Sequence, residues 1–354
     1  MTPPDLDSLP LRPRREGVRR PVGSGRVFGI AISALVSIAL AGGGGWLLTH
    51  QQRVIDQVAV WQFTPDAAIS SYAERSTMTD EGRFLFYASR PVIAAKDDFD
   101  DYCSSQAEGV GILGCYLHAD RRIYLFDVTD DRLDGIEEVV AAHEMLHAAW
   151  DRMSDDDHKK LEPLLDAEAA ARADDAEFTK RMEFYATAEP DERYNELHSI
   201  IGTEFADISP KLESHYDLYF SDRAALIALH VKSNEVFLAQ QAAIDDLIKQ
   251  MDALKAGVDA DYASYNAGYD ELNADISDFN ERAQNGGFSS QRAFTAARDD
   301  LLERQQELDA LYASITERVT QYDGLVAQLN DLNAQVSELN ESINVTPRSE
   351  TPPS

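Results

Sequence analysis

The most regular pattern of apolar positions lies in the last third of the chain. Ile244, Met251, Val258, Tyr265, Leu272 and Phe279 recur every seven residues. After AQNGGFSSQ (283–291) the repeat resumes at Leu301, Leu308, Ile315, Tyr322, Leu329, Val336 and Ile343. Leu311, Leu325, Leu332 and Leu339 fill the second apolar position of the later heptads. A repeat sustained this long predicts a coiled coil over 232–345, and the Gly286-Gly287 break predicts two arms folding back as an antiparallel hairpin. Each arm of about 50 residues would reach roughly 75 Å at 1.5 Å per residue. Asp261, Gly268 and Asp275 interrupt the first arm, which predicts a loose seam or one with room for a partner.

Upstream the pattern is mixed. Thr64-Pro65 has the form of a helix start, with Thr64 as N-cap and Pro65 at the first helical position. GRFLFYASRPVIA (82–94) reads as strand and KDDFDDYC as an acidic loop. GCYLH (114–118) and RIYLFDV (122–128), rich in aromatic and β-branched residues and separated by ADR, predict a β-hairpin. From about Gly135 to about residue 230 the period is helical, with Pro163, Pro190 and Pro210 where proline is tolerated or helices begin. The expected class is α+β, mostly α, with a small antiparallel sheet.

One further run changes the picture. VFGIAISALVSIALAGGGGWLLT (27–49) holds 23 residues without a charge, and an α-helix needs roughly 20 to cross a ~30 Å hydrocarbon layer. Its length, and the extended positive region before it, favour an uncleaved anchor over a signal peptide. Residues 1–26, read as a disordered tail, hold six arginines (Arg12, Arg14, Arg15, Arg19, Arg20, Arg26) against Asp5, Asp7 and Glu16, a net of +3. With −31 for the whole chain, the rest carries −34. The positive-inside rule then puts the N-terminus in the cytoplasm and residues 50–354 outside. The excess of arginine over lysine hints at a GC-rich bacterial genome, and so at a bacterial cell envelope. So acidic a surface repels nucleic acid, which excludes DNA- and RNA-binding functions. Cys103 and Cys115, the only two cysteines, would lie in the oxidising compartment, where a disulfide is expected over two buried thiols. Residues 346–354, TPRSETPPS, read as a second disordered tail.

The candidate chemistry sits in EEVVAAHEMLHAAWDRMS (137–154). His143 and His147 are four apart and share one helix face, and Glu144 lies about 100° around the axis beside them. This HExxH spacing lets both imidazoles bind one Zn2+ while the glutamate acts as general base on the attacking water. A zinc enzyme needs a third protein ligand and an open fourth position. The residues that would carry a third histidine in one such arrangement are Trp150 and Met153, so a later helix must supply the ligand. RYNELHSIIGTEF (193–205) offers Glu196, Glu204 and His198. Glu204 lies about 80° and ~12 Å from Glu196, and His198 about 160° away, so they exclude one another. Asp151 continues the His147 face, either behind a ligand or at the surface. Tyr194, His215 and Tyr216 are candidates to stabilise an oxyanion. His118, His158 and His230 read as structural or exposed.

HEMLH together with Asn195-Glu196-Leu197-His198-Ser199 resembles the gluzincins, the thermolysin-like HExxH peptidases, over roughly residues 80–220. The resemblance implies zinc held by His143, His147 and Glu196, an edge strand above the active-site helix, and peptide-bond hydrolysis. Ile200 stands where those proteins commonly have aspartate. The expectation is a single-pass membrane protein with a zincin-like peptidase domain over 50–231, acting on a peptide or protein, whose coiled coil positions it or recruits a protein partner. The alternative is a cell-envelope scaffold in which that domain is structural or degenerate.

Overall fold

The computed structural model describes residues 51–103, 113–188 and 190–343. The expected basic tail, membrane span and C-terminal tail lie outside the described residues. Among the described residues, no helix is long and apolar enough to cross a membrane. The chain divides into two units at Asp56 and Gln57, with α1 (Gln51–Gln62) spanning the division.

The unit from Gln57 onward is mostly helical around one small sheet. Its elements are α2 (Ala67–Arg75), α3 (Asp80–Ala88), β1 (Val92–Ala94), α4 (Lys96–Tyr102), β2 (Gly114–Leu117), β3 (Arg122–Phe126), α5 (Ile136–Trp150), α6 (Asp155–Ala171), α7 (Ala176–Ala188), α8 (Arg193–Glu204), α9 (Pro210–Tyr216), α10 (Arg223–Gln284) and α11 (Gln291–Ser342). The sheet order is β1-β3-β2, with β1 parallel and β2 antiparallel to the central β3. The predicted hairpin is therefore present, and β2 is an edge strand. A Cys103–Cys115 disulfide ties the end of α4 to β2.

Three local readings are corrected. Residues 82–88 are helical, and only 92–94 form a strand. Gly82, Leu85 and Phe86 are the buried face at i, i+3 and i+4, a helical period hidden in a strand-like composition. Thr79 caps this helix through the Gly82 N–H (3.1 Å), and Asp80 and Glu81 suit the positive end of its dipole. A Cβ on Gly82 would lie 2.5 Å from the Tyr219 carbonyl oxygen, so glycine alone permits this crossing. The expected acidic loop is α4, which buries Phe99 and Cys103. Phe99 packs edge-on to Phe126 at 5.5 Å and Tyr102 stacks on Tyr124 at 4.2 Å. The cap before α2 is Asp66, which accepts from the Ile69 N–H (2.8 Å), not Thr64. Pro163, in addition, sits inside α6.

Helix α5 is the centre. It touches α2, α3, α8, α10, β2 and β3, and Val139, Ala141, Ala142, Met145, Leu146, Ala148 and Ala149 are buried around most of its circumference. A helix apolar on so many sides belongs inside a core. Its N-terminal turn is anchored by charge: Arg75 donates to Glu138 (2.6 Å) and Asp134 (2.8 Å), and Lys232 to Asp134 (2.5 Å).

The boundary expected at 231/232 falls inside a continuous helix, since α10 begins at Arg223 with Leu226 and Ile227 in the core. Buried Arg223 bonds Glu213 and the Phe205 and Ala206 carbonyls. Further out, α10 and α11 run antiparallel. At the turn Phe279, Phe288 and Phe294 cluster at 5.1–5.2 Å, and Gly286 takes a φ of +66°. The three interruptions of the heptad pattern are matched from across the seam. Arg304 pairs with Asp275 (2.6 Å), Arg318 pairs with Asp261, and Leu308 fills the space over Gly268. The seam is specified rather than loose, because each ion pair forms in only one register.

These pairs are part-exposed and screened by solvent, so losing one costs little stability. Arg318→Ala should therefore lower the Tm by a few degrees at most. Asp261→Arg with Asp275→Arg, which sets like charges together, should lower it further, and adding Arg304→Asp and Arg318→Asp should restore it. Thermal melts followed by circular dichroism decide this; a reversed pair that melts like the wild type would show that these charges do not set the register.

Candidate metal centre

His143, Glu144 and His147 bring ligand atoms within 4.8 Å of one another, and this group could hold a metal ion. The fourth side chain comes from α8, which packs along α5. Glu196 places one carboxylate oxygen 3.8 Å from His143 Nε2 and the other 3.6 Å from His147 Nε2. Ligand atoms around a tetrahedral zinc with bonds of about 2.1 Å lie about 3.4 Å apart, so this spacing is close to that of a closed ligand set.

The orientation of His147 is fixed from behind. Asn195 Nδ2 donates to Glu192 (2.8 Å), which turns its Oδ1 toward His147 Nδ1 at 2.9 Å. That assigns the proton to Nδ1 and leaves the Nε2 lone pair facing Glu196. Ser199 Oγ, one turn on, lies 3.2 Å from the same Nδ1. Such partners orient ligand imidazoles and raise their basicity.

The edge strand crosses directly over Glu144. A Cβ on Gly114 would come within 2.6 Å of Val140 and 2.8 Å of the Glu144 side chain, the close approach for which a strand glycine is suited. The Phe126 N–H donates to the Leu113 carbonyl (2.8 Å). By alternation, Gly114 and Tyr116 turn their backbone groups away from β3, and the Tyr116 N–H donates to the Glu144 carboxylate. Its Oε2 is buried with no hydrogen-bond partner.

The electrostatics suit a divalent cation. Burial raises Glu144 to about 7, reinforced by Glu196 and opposed by His147 and the Tyr116 N–H. His143 is held well below its ordinary value by burial, His147 and Arg181. Burial pulls His147 down as well, but the Glu196 and Glu144 carboxylates outweigh it and raise the group. Two buried carboxylates beside two imidazoles form a site that a cation balances. His143 keeps 21% exposure, so the site opens to solvent on that side.

The other candidates are placed elsewhere. Glu204 forms a two-bond pair with Arg181 (3.0 and 2.6 Å). His198 is fully buried, with its Nε2 2.9 Å from His215 Nε2. Tyr216 donates to the His198 carbonyl (2.8 Å) and Tyr194 to Asp166 (2.9 Å). His158 stacks on Trp150 at 4.2 Å and His230 is half-buried. Exposed His118 lies 3.7 Å from Glu192 and 3.5 Å from Asp151. Asp151 also accepts from Tyr116 (2.9 Å) and pairs with Arg121 (2.9 Å), so it clamps the β-hairpin to the end of α5.

Sequence reasoning missed the roles of Asn195, Ser199, Glu192 and the Tyr116 backbone. Asn195 and Ser199 stood in the NELHS pattern, and Gly114 opening a strand signalled a close approach. Compared with known proteins, the chain matches no family model, no curated protein and no solved structure.

Two outcomes follow. Asn195→Ala frees the His147 ring and should weaken metal binding about 10- to 100-fold, read by competition with a chromophoric chelator; unchanged affinity refutes the orienting role. Asp151, whose pKa falls to about 2 because His118, Tyr116 and Arg121 outweigh burial, contributes stability above its ordinary value of about 3.9. That contribution is lost as pH falls through about 2. The Tm difference between wild type and Asp151→Asn should therefore be full at pH 5 and shrink progressively toward pH 2.

Proposed function

We propose that the chain is a zinc-dependent peptidase anchored by its N-terminal apolar stretch on the outer face of a membrane, with a fold and site of the gluzincin kind. In this reading His143, His147 and Glu196 hold the metal and Glu144 is the general base. The observation that carries it is the placing of one carboxylate from α8 against the Nε2 atoms of both α5 histidines, at 3.8 and 3.6 Å. When bound, zinc supplies Lewis-acid chemistry, polarising the scissile carbonyl and making water more acidic.

The protein groups do the rest. Glu144 takes a proton from the attacking water and passes it to the leaving amine. Burial raises this carboxyl, which makes it a stronger base than an exposed glutamate. Asn195 and Ser199 hold His147 in the tautomer that presents Nε2 to the metal. With the Tyr116 N–H given to Glu144, the Gly114 N–H and the Gly114 and Tyr116 carbonyls remain as outward groups that suit pairing with an extended peptide laid along the edge of β2. The Cys103–Cys115 disulfide supports an oxidising, extracytoplasmic compartment.

Glu144→Gln should bind zinc with unchanged stoichiometry and lose about 10²- to 10⁴-fold of its cleavage of a fluorogenic peptide library. Equal cleavage refutes Glu144 as the base, and no cleavage by the zinc-loaded wild type refutes the peptidase reading. Chelation should lower the Tm, by the equivalent of about 2.7 kcal/mol relative to zinc at 100 times its Kd. Glu196→Ala should abolish the zinc-dependent rise; a full rise in that variant removes Glu196 from the ligand set.

A further inference from the structure

The outer hairpin has two unlike long faces. Its seam is formed by Leu247, Met251, Leu254, Val258, Tyr265 and Leu272 on α10, opposed by Leu308, Leu311, Ile315, Tyr322 and Leu325 on α11. Because the helices are antiparallel, the residue just after each second seam position lies on the same side of the pair in both. On α10 that row reads Ile248, Lys255, Tyr262, Tyr269, Ile276, and on α11 Gln305, Tyr312, Val319, Val326. Tyr269 and Tyr312 lie 5.8 and 5.4 Å from the ring of Tyr265, which places them together on one face. The opposite row reads Gln250, Gly257, Ser264, Glu271, Asp278 and Glu307, Ser314, Gln321, Gln328, Gln335, without a single large apolar side chain.

Tyr269 and Tyr312 are 49% and 50% exposed, and Ile248 is 45%. In a self-sufficient pair of helices both outer rows would be polar. Here one row, interrupted by Lys255 and Gln305, is otherwise apolar from Ile248 to Ile276 of α10, 29 residues or about 43 Å of helix, a length that a single partner helix of about 28 residues would cover. Exposed Asp245, Asp252 and Asp259 on α10 and Asp309 and Asp323 on α11 border the row. Residues 232–343 hold 21 acidic and 8 basic residues, a net of −13. Two copies of this face would set aspartate against aspartate, whereas a cationic partner finds its complement.

We propose that this face is a docking groove for an amphipathic α-helix of another protein, whose apolar stripe is bordered by Lys and Arg. The partner's apolar side chains settle between the two rows, over Tyr262, Tyr269 and Tyr312, and its cationic flanks meet the bordering aspartates. This surface does not depend on the reading of the metal centre.

The test uses the full chain and synthetic 28-residue helical peptides with one apolar stripe, flanked by Lys/Arg in one and by Glu in the other. The cationic peptide should bind, and the Glu-flanked one at least tenfold more weakly. Tyr262→Ser with Tyr269→Ser and Tyr312→Ser should weaken cationic binding at least tenfold at unchanged helicity and Tm, while Gln250→Ala with Gln321→Ala and Gln328→Ala on the other face should not change it. Asp252→Lys, Asp259→Lys, Asp309→Lys and Asp323→Lys together should reverse the preference between the peptides, a readout independent of the tyrosines. Equal binding of both peptides, or full binding by the tyrosine variant, overturns the proposal. So does concentration-dependent dimerisation in sedimentation that disappears in that variant, which would make a second copy the occupant.

Discussion

The packing of α8 against α5 is the contact on which the rest depends. It sets a carboxylate from one helix against two imidazoles of another inside a core, where unpaired charge is expensive. Glu144 Oε2 is left without a hydrogen bond in that interior and its acidity is displaced up to about 7 by burial. Further elements hold these groups in place: β2 contacts Glu144, and the Pro190–Glu192 turn orients Asn195 of α8 behind His147. The centre is therefore assembled by the fold as a whole, although its chemical core is a five-residue motif.

That division explains what could be read from the amino-acid sequence. HExxH is legible because its geometry is local, four residues along one helix. The heptads are legible because they repeat. The pairing of His147 with Asn195 spans 48 residues, and no local period reports it. Residues 82–88 were misread for the opposite reason: Phe84, Phe86 and Tyr87 favour strands, but Thr79 supplies a cap and Gly82 lets the helix cross Tyr219. Tertiary fit overrode propensity there. In α4 and its C-cap, buried Phe99 and Cys103, together with the exposed Tyr102 ring stacked on Tyr124, organise a segment whose aspartates alone suggested a loop.

The long hairpin makes a related point about broken patterns. Asp261, Gly268 and Asp275 look like defects when one helix is read alone. Paired with Arg318, Leu308 and Arg304 they become a register code, since sliding either helix by a heptad would separate both ion pairs and set an aspartate opposite Leu311. The interruptions thus specify the alignment of the two helices, and that alignment is what gathers Tyr262, Tyr269 and Tyr312 onto one face.

Helix α8 also shows why neighbouring candidates were hard to separate by inspection. Successive residues are rotated by about 100°, so Asn195 and Glu196 can address the two nitrogens of one imidazole from consecutive positions. Ser199, four on from Asn195, returns to the Nδ1 side at 3.2 Å. His198, about 160° from Glu196, meets His215 instead. Glu204 is only about 80° from Glu196 in azimuth, but two turns of rise, ~12 Å, carry it to Arg181. One helix thus distributes three candidates to three different neighbours, and its axial position against α5 sets Glu196, not Glu204 or His198, beside the two histidines. A slip of α8 by one turn, 5.4 Å, would bring Glu192 or Ile200 opposite the histidines, and neither could leave Asn195 behind His147.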